Sequence, residues 1–472
     1  MHADVDTIVI GAGLSGLVTA FELQQRGVAV EVLERAPVCG GVIATKHRDG
    51  ALYETGPNSA QAATPLIDPL LDALHLRDER IETTAEARTR FIVRDGKLVA
   101  LPTSPPSLFR THAFSPRAKL RLLCEPFVGR AASGADESVA AFARRRLGAE
   151  ILDYAIDPFV SGVYAGDPER ISLAAAFPRV YALEQKHGSL VGGGIATLRA
   201  RMRGREATKR GSFSFRTGMQ TLTDALTDTL ERVANDVEVE RVDRDRNGGW
   251  TISYEKNGER VARTSKSVVL ATPAFAAATL VRDVAGGASE VLERIAYAPI
   301  AIAVTLYRRA DIEHSLHGFG FLVPAKEKRS ILGSLFSSSM FDGRAPAGSV
   351  LLTTFIGGSR NPTLVARSDA ELARLAHDEL RELVGARSEP RWSEVVRWDK
   401  AIPQYEVGHL DRIRVIEESE RGLPGLYFCA NYRGGVSIGN CIESAHLTAE
   451  RVGSFLRIDA VDRAESEFGE RV

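Results

Sequence analysis

The stretch Thr7-Ile8-Val9-Ile10-Gly11-Ala12-Gly13-Leu14-Ser15-Gly16 constrains the fold of this chain more than any other. A β-branched run suits a strand buried on both faces, and three glycines at the spacing Gly-x-Gly-x-x-Gly follow it directly. A helical pattern continues through Leu17, Phe21 and Leu23 to Arg26, with Gly27 as its stop. Val28-Ala29-Val30-Glu31-Val32-Leu33 reads as a second strand that ends at Glu34. The result is a βαβ unit of about thirty residues. In such a unit Gly11 permits the tight turn, Gly13 lets backbone approach a pyrophosphate, and Gly16 lets helix and strand pack closely. The helix start adds unpaired N–H groups and about half a positive charge. Glu34 stands 18 residues past Gly16, where a carboxylate accepts ribose hydroxyls and disfavours a 2′-phosphate. A dinucleotide is therefore expected on Gly11, Ala12, Gly13, Leu14, Ser15, Gly16 and Glu34.

At 472 residues the chain exceeds one hydrophobic core, so two or three domains are expected. The 60 basic and 61 acidic residues nearly cancel, which gives no general attraction for nucleic acid. Cys39, Cys124, Cys429 and Cys441 form no C-x-x-C pair, so neither a redox dithiol nor a zinc ribbon is suggested. Buried thiols in a reducing, cytoplasmic compartment are expected, with Cys429 packed in the strand Leu426-Tyr427-Phe428-Cys429-Ala430. The first strand begins within a few residues of Met1, which predicts no cleaved leader. The longest uncharged apolar stretch, Ser267 to Val281, is broken by Pro273 and falls short of the roughly 20 residues a spanning helix needs.

The remaining organisation is discontinuous. Two more glycine turns, Cys39-Gly40-Gly41-Val42 and Glu54-Thr55-Gly56-Pro57-Asn58-Ser59, can wrap a long, bent cofactor. A helix is expected from Leu222 to Val233. Strands follow at Val237-Glu238-Val239, Trp250 to Tyr254 and Ser267 to Leu270, the last closed by Ala271-Thr272-Pro273. Near the far end, strand Gly425 to Ala430 meets Gly434-Gly435-Val436-Ser437-Ile438-Gly439 and then a helix from Asn440 to Val452. This second strand–glycine–helix unit presents another helix start, fit to stabilise negative charge. Residues 1–85, 212–290 and 392–457 are assigned to the nucleotide domain, and 86–114 with 291–391 to a mixed-sheet substrate domain that carries a helix from Glu371 to Leu383. Residues 115–211 are read as a helical insertion, and 458–472 as a flexible tail. The fold class is α/β (α+β overall), with a Rossmann-like domain.

Glu34-Arg35 followed by Gly40-Gly41 resembles the motif of the FAD-dependent amine-oxidase and porphyrinogen-oxidase superfamily. That resemblance implies FAD, with Arg35, Gly40, Gly41, Val42, Gly56, Pro57, Asn58 and Ser59 extending the cradle. It also implies backbone contact from Val242 to the adenine, and places Ala271, Trp398, Val436, Ser437 and Ile438 near the flavin. Five segments are more specifically similar to the oxygen-dependent protoporphyrinogen oxidases and their coproporphyrinogen-oxidising relatives in haem synthesis. They are Glu54 to Ser59, Leu101-Pro102-Thr103-Ser104-Pro105-Pro106, Gly162-Val163-Tyr164-Ala165-Gly166-Asp167, Gly318-Phe319-Gly320-Phe321-Leu322-Val323-Pro324 and Gly435 to Ile442.

The resemblance implies three rounds of two-electron oxidation of a porphyrinogen, with O2 as acceptor giving peroxide. Such a substrate is a large apolar macrocycle with carboxylates on one edge, and it needs an apolar slot with a cation at the rim. Arg90 matches an arginine that contacts a propionate. Phe319 and Phe321 are candidates to sandwich pyrrole rings, and Gly162 and Tyr164 to line the channel roof. Asn58 stands where eukaryotic members carry arginine, so no second carboxylate contact carries over there. No general base stands out: His187, His317 and His409 qualify by residue type alone. The basic run Arg199, Arg201, Arg203, Arg205, Lys209 and Arg210 suggests peripheral contact with anionic lipid on the inner face of a membrane, and a homodimer is a further expectation. The sequence does not choose between protoporphyrinogen IX and coproporphyrinogen III. An amine oxidase, a polyene desaturase and a non-catalytic flavin-binding module stay open as alternatives.

Overall fold

The opening strand Val5–Ile10 lies inside a seven-stranded sheet, with Ile8 and Val9 fully buried. The computed structural model describes residues 3–102, 105–131, 134, 136–194 and 211–469. The opening strand pairs in parallel with Val30–Leu33 on one side and Glu259–Leu270 on the other. The two halves of Glu259–Leu270 take different partners. Its first half runs antiparallel to Trp250–Lys256, while Val268 to Leu270 pair in parallel with Leu426–Phe428. Three parallel strands drawn from residues 5–10, 259–270 and 426–428 thus end at one edge of the sheet.

Two helices leave that edge, Leu14–Gln25 and Ile438–Gly469. They share a core in which Leu17, Val18 and Phe21 join Ala445, Ala449 and Val452. Each large apolar side chain buried there contributes about 1.5–3 kcal/mol, so the chain's two ends are held together by packing and not only by strand pairing.

A second seven-stranded sheet runs in the order Trp392–Pro403, Tyr297–Arg308, Ser349–Gly357, Ile331–Leu335, Gly320–Leu322, Arg90–Arg94, Lys97–Ala100. It is mixed, because Gly320–Leu322 and Arg90–Arg94 run parallel while the other pairs are antiparallel. Helix Asp369–Val384 packs on it through Leu372, Ala376 and Leu380. A capping box of Ser368 and Glu371 starts this helix and Gly385, at φ 68°, stops it.

The described part of the insertion is helical, with Pro116–Leu123, Val139–Arg146, Asp157–Tyr164 and Pro178–His187. Its interior holds a charge cluster. The fully buried Arg146 donates to Glu125 at 2.7 Å and to Glu184 at 2.6 Å. Glu125 also accepts from the Ser189 hydroxyl and the Leu190 and Val191 amides. Buried charge of this kind persists only when every lone pair finds a donor. Asp157 links the insertion to the second sheet's loops, accepting both bonds from Arg360 and one from the Ala325 amide. The basic run Arg199 to Arg210 lies outside the described residues.

Several expectations need correction. Strand Trp392–Pro403, assigned to the nucleotide domain, is an edge strand of the second sheet, paired with Tyr297–Arg308. The helix expected to reach Val233 ends at Thr229, because Val233–Ala234 joins the nucleotide sheet beside Val32 and Leu33. The closing helix, expected from Asn440 to Val452, starts at Ile438 and continues to Gly469. Cys124 is exposed, whereas Cys39, Cys429 and Cys441 are buried.

Candidate functional site

The opening turn is built on close approach. A Cβ on Gly16 would lie 1.9 Å from the Gly11 carbonyl oxygen, so the helix can sit on the turn only with glycine there. Gly41, at φ 61°, brings its backbone against the same turn, and a Cβ there would meet the Gly13 Cα at 3.2 Å. The second glycine turn therefore lies directly on the first, tied by the Gly40 amide donating to the Ala12 carbonyl at 2.8 Å. Glu34 organises both sides of the turn, accepting from the Ala12 amide at 2.6 Å and the Ala36 amide at 2.8 Å. Gly13 differs from its neighbours, since a Cβ there would meet nothing within 4 Å. The helix start beside it has no side-chain cap and no acidic residue in its first turn. Its orphan amides and positive dipole end thus face open space.

The third glycine turn stacks on the second. A Cβ on Gly56 would lie 1.9 Å from the Val42 carbonyl oxygen, and the Thr55 amide donates to Ala44 at 2.9 Å. Trp398 reaches across from the second sheet and donates its indole N–H to the Thr55 carbonyl at 2.8 Å. Asn58 folds back on the Gly56 carbonyl at 3.1 Å, flanked by the partly buried Pro57 and Ser59. Beneath the loop, burial pushes the Glu54 carboxyl up, while Thr45 and the Met219 amide hold it. Arg35 and Val42 are exposed. Val242 buries its side chain in the core that contains Leu33 and sits on the sheet's outer strand, Glu238–Arg244.

The closing turn rises beside these. Ala271 donates its amide to Ile10 at 2.8 Å, where the parallel strands end, and the neighbouring Thr272 hydroxyl is buried without a partner among the described residues. Val436 and Ser437 lead into the closing helix at Ile438, with the Ser437 hydroxyl accepting from the Asn440 amide at 3.2 Å. Among the described residues no acceptor is paired with the amides of these three. The structure therefore brings Gly11 to Gly16, Gly40 to Val42, Gly56 to Ser59, Ala271 and Val436 to Ile438 around the ends of the same parallel strands.

On the other flank Arg90 is exposed, and its Cζ lies 4.8 Å from the centre of the Phe319 ring. Among the described residues this guanidinium has no carboxylate partner. Phe319 packs toward Met340 and Phe341, which with Asn58 and Arg344 line one small cavity. Gly162 is exposed, and a Cβ on it would press on Leu322 at 2.8 Å.

Two substrate-side expectations are corrected. Phe321 is 2% exposed and packs on Phe336 in the core, so it offers no ring to a slot. Strand alternation would put it on the Phe319 side, but Gly320, at φ 141°, stands between them and Phe319 precedes the strand. Tyr164 is 3% exposed, its hydroxyl bonded to the Ala176 carbonyl at 3.1 Å and its ring against Phe177 and Tyr405. Burial raises its phenol well above the ordinary range, so it stays neutral.

Sequence reasoning missed Arg344. The buried Arg344 donates to the Ser214 hydroxyl at 2.8 Å and the Phe215 carbonyl at 3.0 Å beneath the Glu54 loop. It carries no one-sequence signal, because its partners Ser214 and Phe215 lie far away in the chain. Of the three histidines, His317 is exposed and His187 partly buried, while His409 is 1% exposed, bonded to the Tyr432 carbonyl and held down to about 4 by burial.

This fold and cradle define a dinucleotide-binding flavoprotein. The sequence profile of the flavin containing amine oxidoreductases matches residues 14–453, and the chain belongs to that family. It is 34% identical to protoporphyrinogen oxidase 2 of Arabidopsis thaliana, across 97% of this chain and 96% of that protein. It is 28% identical to coproporphyrinogen III oxidase of Bacillus subtilis, across 92% and 95%. A solved protein from Exiguobacterium, assigned as a protoporphyrinogen oxidase, superposes with a TM-score of 0.79 at 25% identity, across 96% and 99%. The chain is an oxidoreductase whose cofactor is FAD. The residues fit that group, since an uncapped helix start, open space over Gly13 and an unpartnered Thr272 hydroxyl are what an anionic dinucleotide would satisfy.

Gly13→Val should therefore fold, because Gly13 has φ −71° and empty space at its Cβ, yet purify without flavin absorbance. A yellow Gly13→Val protein would contradict the cradle.

Proposed function

We propose that this chain oxidises protoporphyrinogen IX to protoporphyrin IX with O2 as acceptor. Coproporphyrinogen III is the second reading, favoured by the 28–30% identity to coproporphyrinogen III oxidases. The observation that carries the proposal is Arg90, an exposed guanidinium without a carboxylate partner among the described residues, lying over Phe319, which itself packs toward Met340 and Phe341. A cation above an aromatic ring matches a substrate with an apolar body and an acidic rim. Bound FAD would supply two-electron oxidation of the macrocycle in each of three rounds, with O2 as final acceptor giving H2O2. Arg90 would hold a propionate, worth roughly 1.5–3 kcal/mol for a charge-assisted bond. Phe319 would cover a pyrrole ring, and Gly162, packed close to Leu322, would line the channel roof. The unpaired amides of Val436 to Ile438 would face the negative charge of the reduced cofactor. Developing aromaticity supplies the driving force, so these groups need only position the substrate and exclude water.

The insertion also supports peripheral contact with anionic lipid, on the cytoplasmic side of a membrane. Leu120, Leu123, Phe127 and Phe159 are 61%, 56%, 89% and 50% exposed, and Arg117 and Arg130 are exposed near them. Apolar tips with basic neighbours bind a charged interface weakly and in a salt-sensitive way. Among the described residues no helix is long and apolar enough to cross a membrane.

Turnover of the two porphyrinogens, followed by porphyrin fluorescence with and without air, tests the reaction. Protoporphyrinogen should be oxidised only in air, and oxidation of neither substrate would end the proposal. In the same assay Arg90→Ala should raise KM about ten- to a hundredfold, the equivalent of ~1.4–2.8 kcal/mol, and an unchanged KM would remove Arg90 from the site. For the lipid contact, the protein should pellet with anionic vesicles at low salt and be released by added salt; no pelleting at low salt would dismiss it.

A further inference from the structure

Tyr405 lies at the end of the second sheet, 2% exposed, and its hydroxyl serves the closing glycine turn twice. It donates to the Asn431 carbonyl at 2.7 Å and accepts from the Gly435 amide at 2.9 Å. One phenol thus bridges both ends of the Asn431–Gly435 turn. His409 stacks on the ring, with centroids 4.2 Å apart and planes 14° apart, and its Nε2 lies 2.9 Å from the Tyr432 carbonyl. Neutral imidazole is the form that burial favours here, so Nε2–H donates and Nδ1 is left without a partner. Three backbone groups of five consecutive residues are consequently fixed by two buried side chains from outside the turn. Arg433 anchors the middle of the turn by donating to Glu420 at 2.7 Å and to the Phe428 carbonyl at 3.2 Å, whereas its last two residues, Gly434 and Gly435, both adopt positive φ and meet the Tyr405 hydroxyl at the Gly435 amide.

We infer that Tyr405, braced by His409, is a positioning residue for the flavin, fixing the Asn431–Gly435 turn and thereby the aim of the Val436, Ser437 and Ile438 amides. The inference rests on the reading that this turn closes over FAD. By occupying the Gly435 amide, the phenol leaves the next three as the group presented to the cofactor. Those amides matter more to a reduced, anionic flavin than to the neutral oxidised form, because preorganised donors act on developed charge. Tyr405 also ties the turn to the helical insertion. Its carbonyl accepts from the Ser172 amide at 2.8 Å, and its ring packs on Tyr164 at 5.7 Å.

Tyr405→Phe tests this, since it keeps the stacked ring and removes only the hydroxyl. FAD affinity would be measured by titration of the apoprotein and the midpoint potential by spectroelectrochemistry. The expected result is weaker flavin binding, with about a tenfold greater loss for the reduced than for the oxidised form. That ratio equals a two-electron potential lower by about 30 mV. The KM for the porphyrinogen should stay within about twofold of wild type. Wild-type affinity and potential in Tyr405→Phe would overturn the inference. If Tyr405→Phe did not fold, His409→Leu and His409→Gln would replace it: the leucine variant should lower the potential and glutamine, which can still donate to Tyr432, should restore it. Equal potentials in both would overturn the inference. Wild-type protein that takes up no FAD would instead defeat the cofactor reading itself, so the two failures are distinguishable.

Discussion

The parallel pairing of Glu259–Leu270 with both Val5–Ile10 and Leu426–Phe428 is the constraint on which the rest depends. A parallel strand aims its carboxyl end and the following helix start at the same edge as its neighbours. One twelve-residue strand therefore fixes the positions of two helix starts that lie more than four hundred residues apart in the chain. Each brings orphan amides and a positive dipole end. One would face the dianionic pyrophosphate and the other the reduced flavin.

What lies above that edge is arranged by backbone contact. The three glycine turns lean on one another at Gly13 and Gly41, and at Val42 and Gly56, where a single Cβ would separate them. The second sheet holds the stack from the side, through Trp398 on Thr55 and Tyr405 on Gly435. The insertion is held by different physics. Its buried Arg146 with Glu125 and Glu184, and Asp157 with Arg360, are charges compensated inside the protein, and removing either partner leaves an unpaired ion that typically costs 3–5 kcal/mol. The Arg146 cluster fixes the insertion's own interior and the Asp157–Arg360 pair ties it to the loops of the second sheet, while its exposed leucines and phenylalanines stay free to meet other surfaces.

The nucleotide half was legible in the sequence because its signals are local. Gly11, Gly13, Gly16 and Glu34 lie within one βαβ unit, and each spacing has a single structural use. The boundaries were harder, because Trp392–Pro403 and Val233–Ala234 are placed by their partners in the sheets and not by their own periodicity. Phe321 went to the core because one glycine of positive φ breaks the alternation on which the expectation relied. Tyr405 and Arg344 left no trace in one sequence, since their importance arises from backbone groups brought near by folding. The resemblance to porphyrinogen oxidases supplied a substrate class that residue chemistry alone did not reach.

Amide hydrogen exchange of apoprotein and FAD-loaded protein tests the shared cradle most directly. Peptides covering residues 11–16, 40–42 and 436–438 should gain protection together when FAD binds, although they come from opposite ends of the chain. Protection confined to the first of these, with the closing turn exchanging as it does in the apoprotein, would contradict the account.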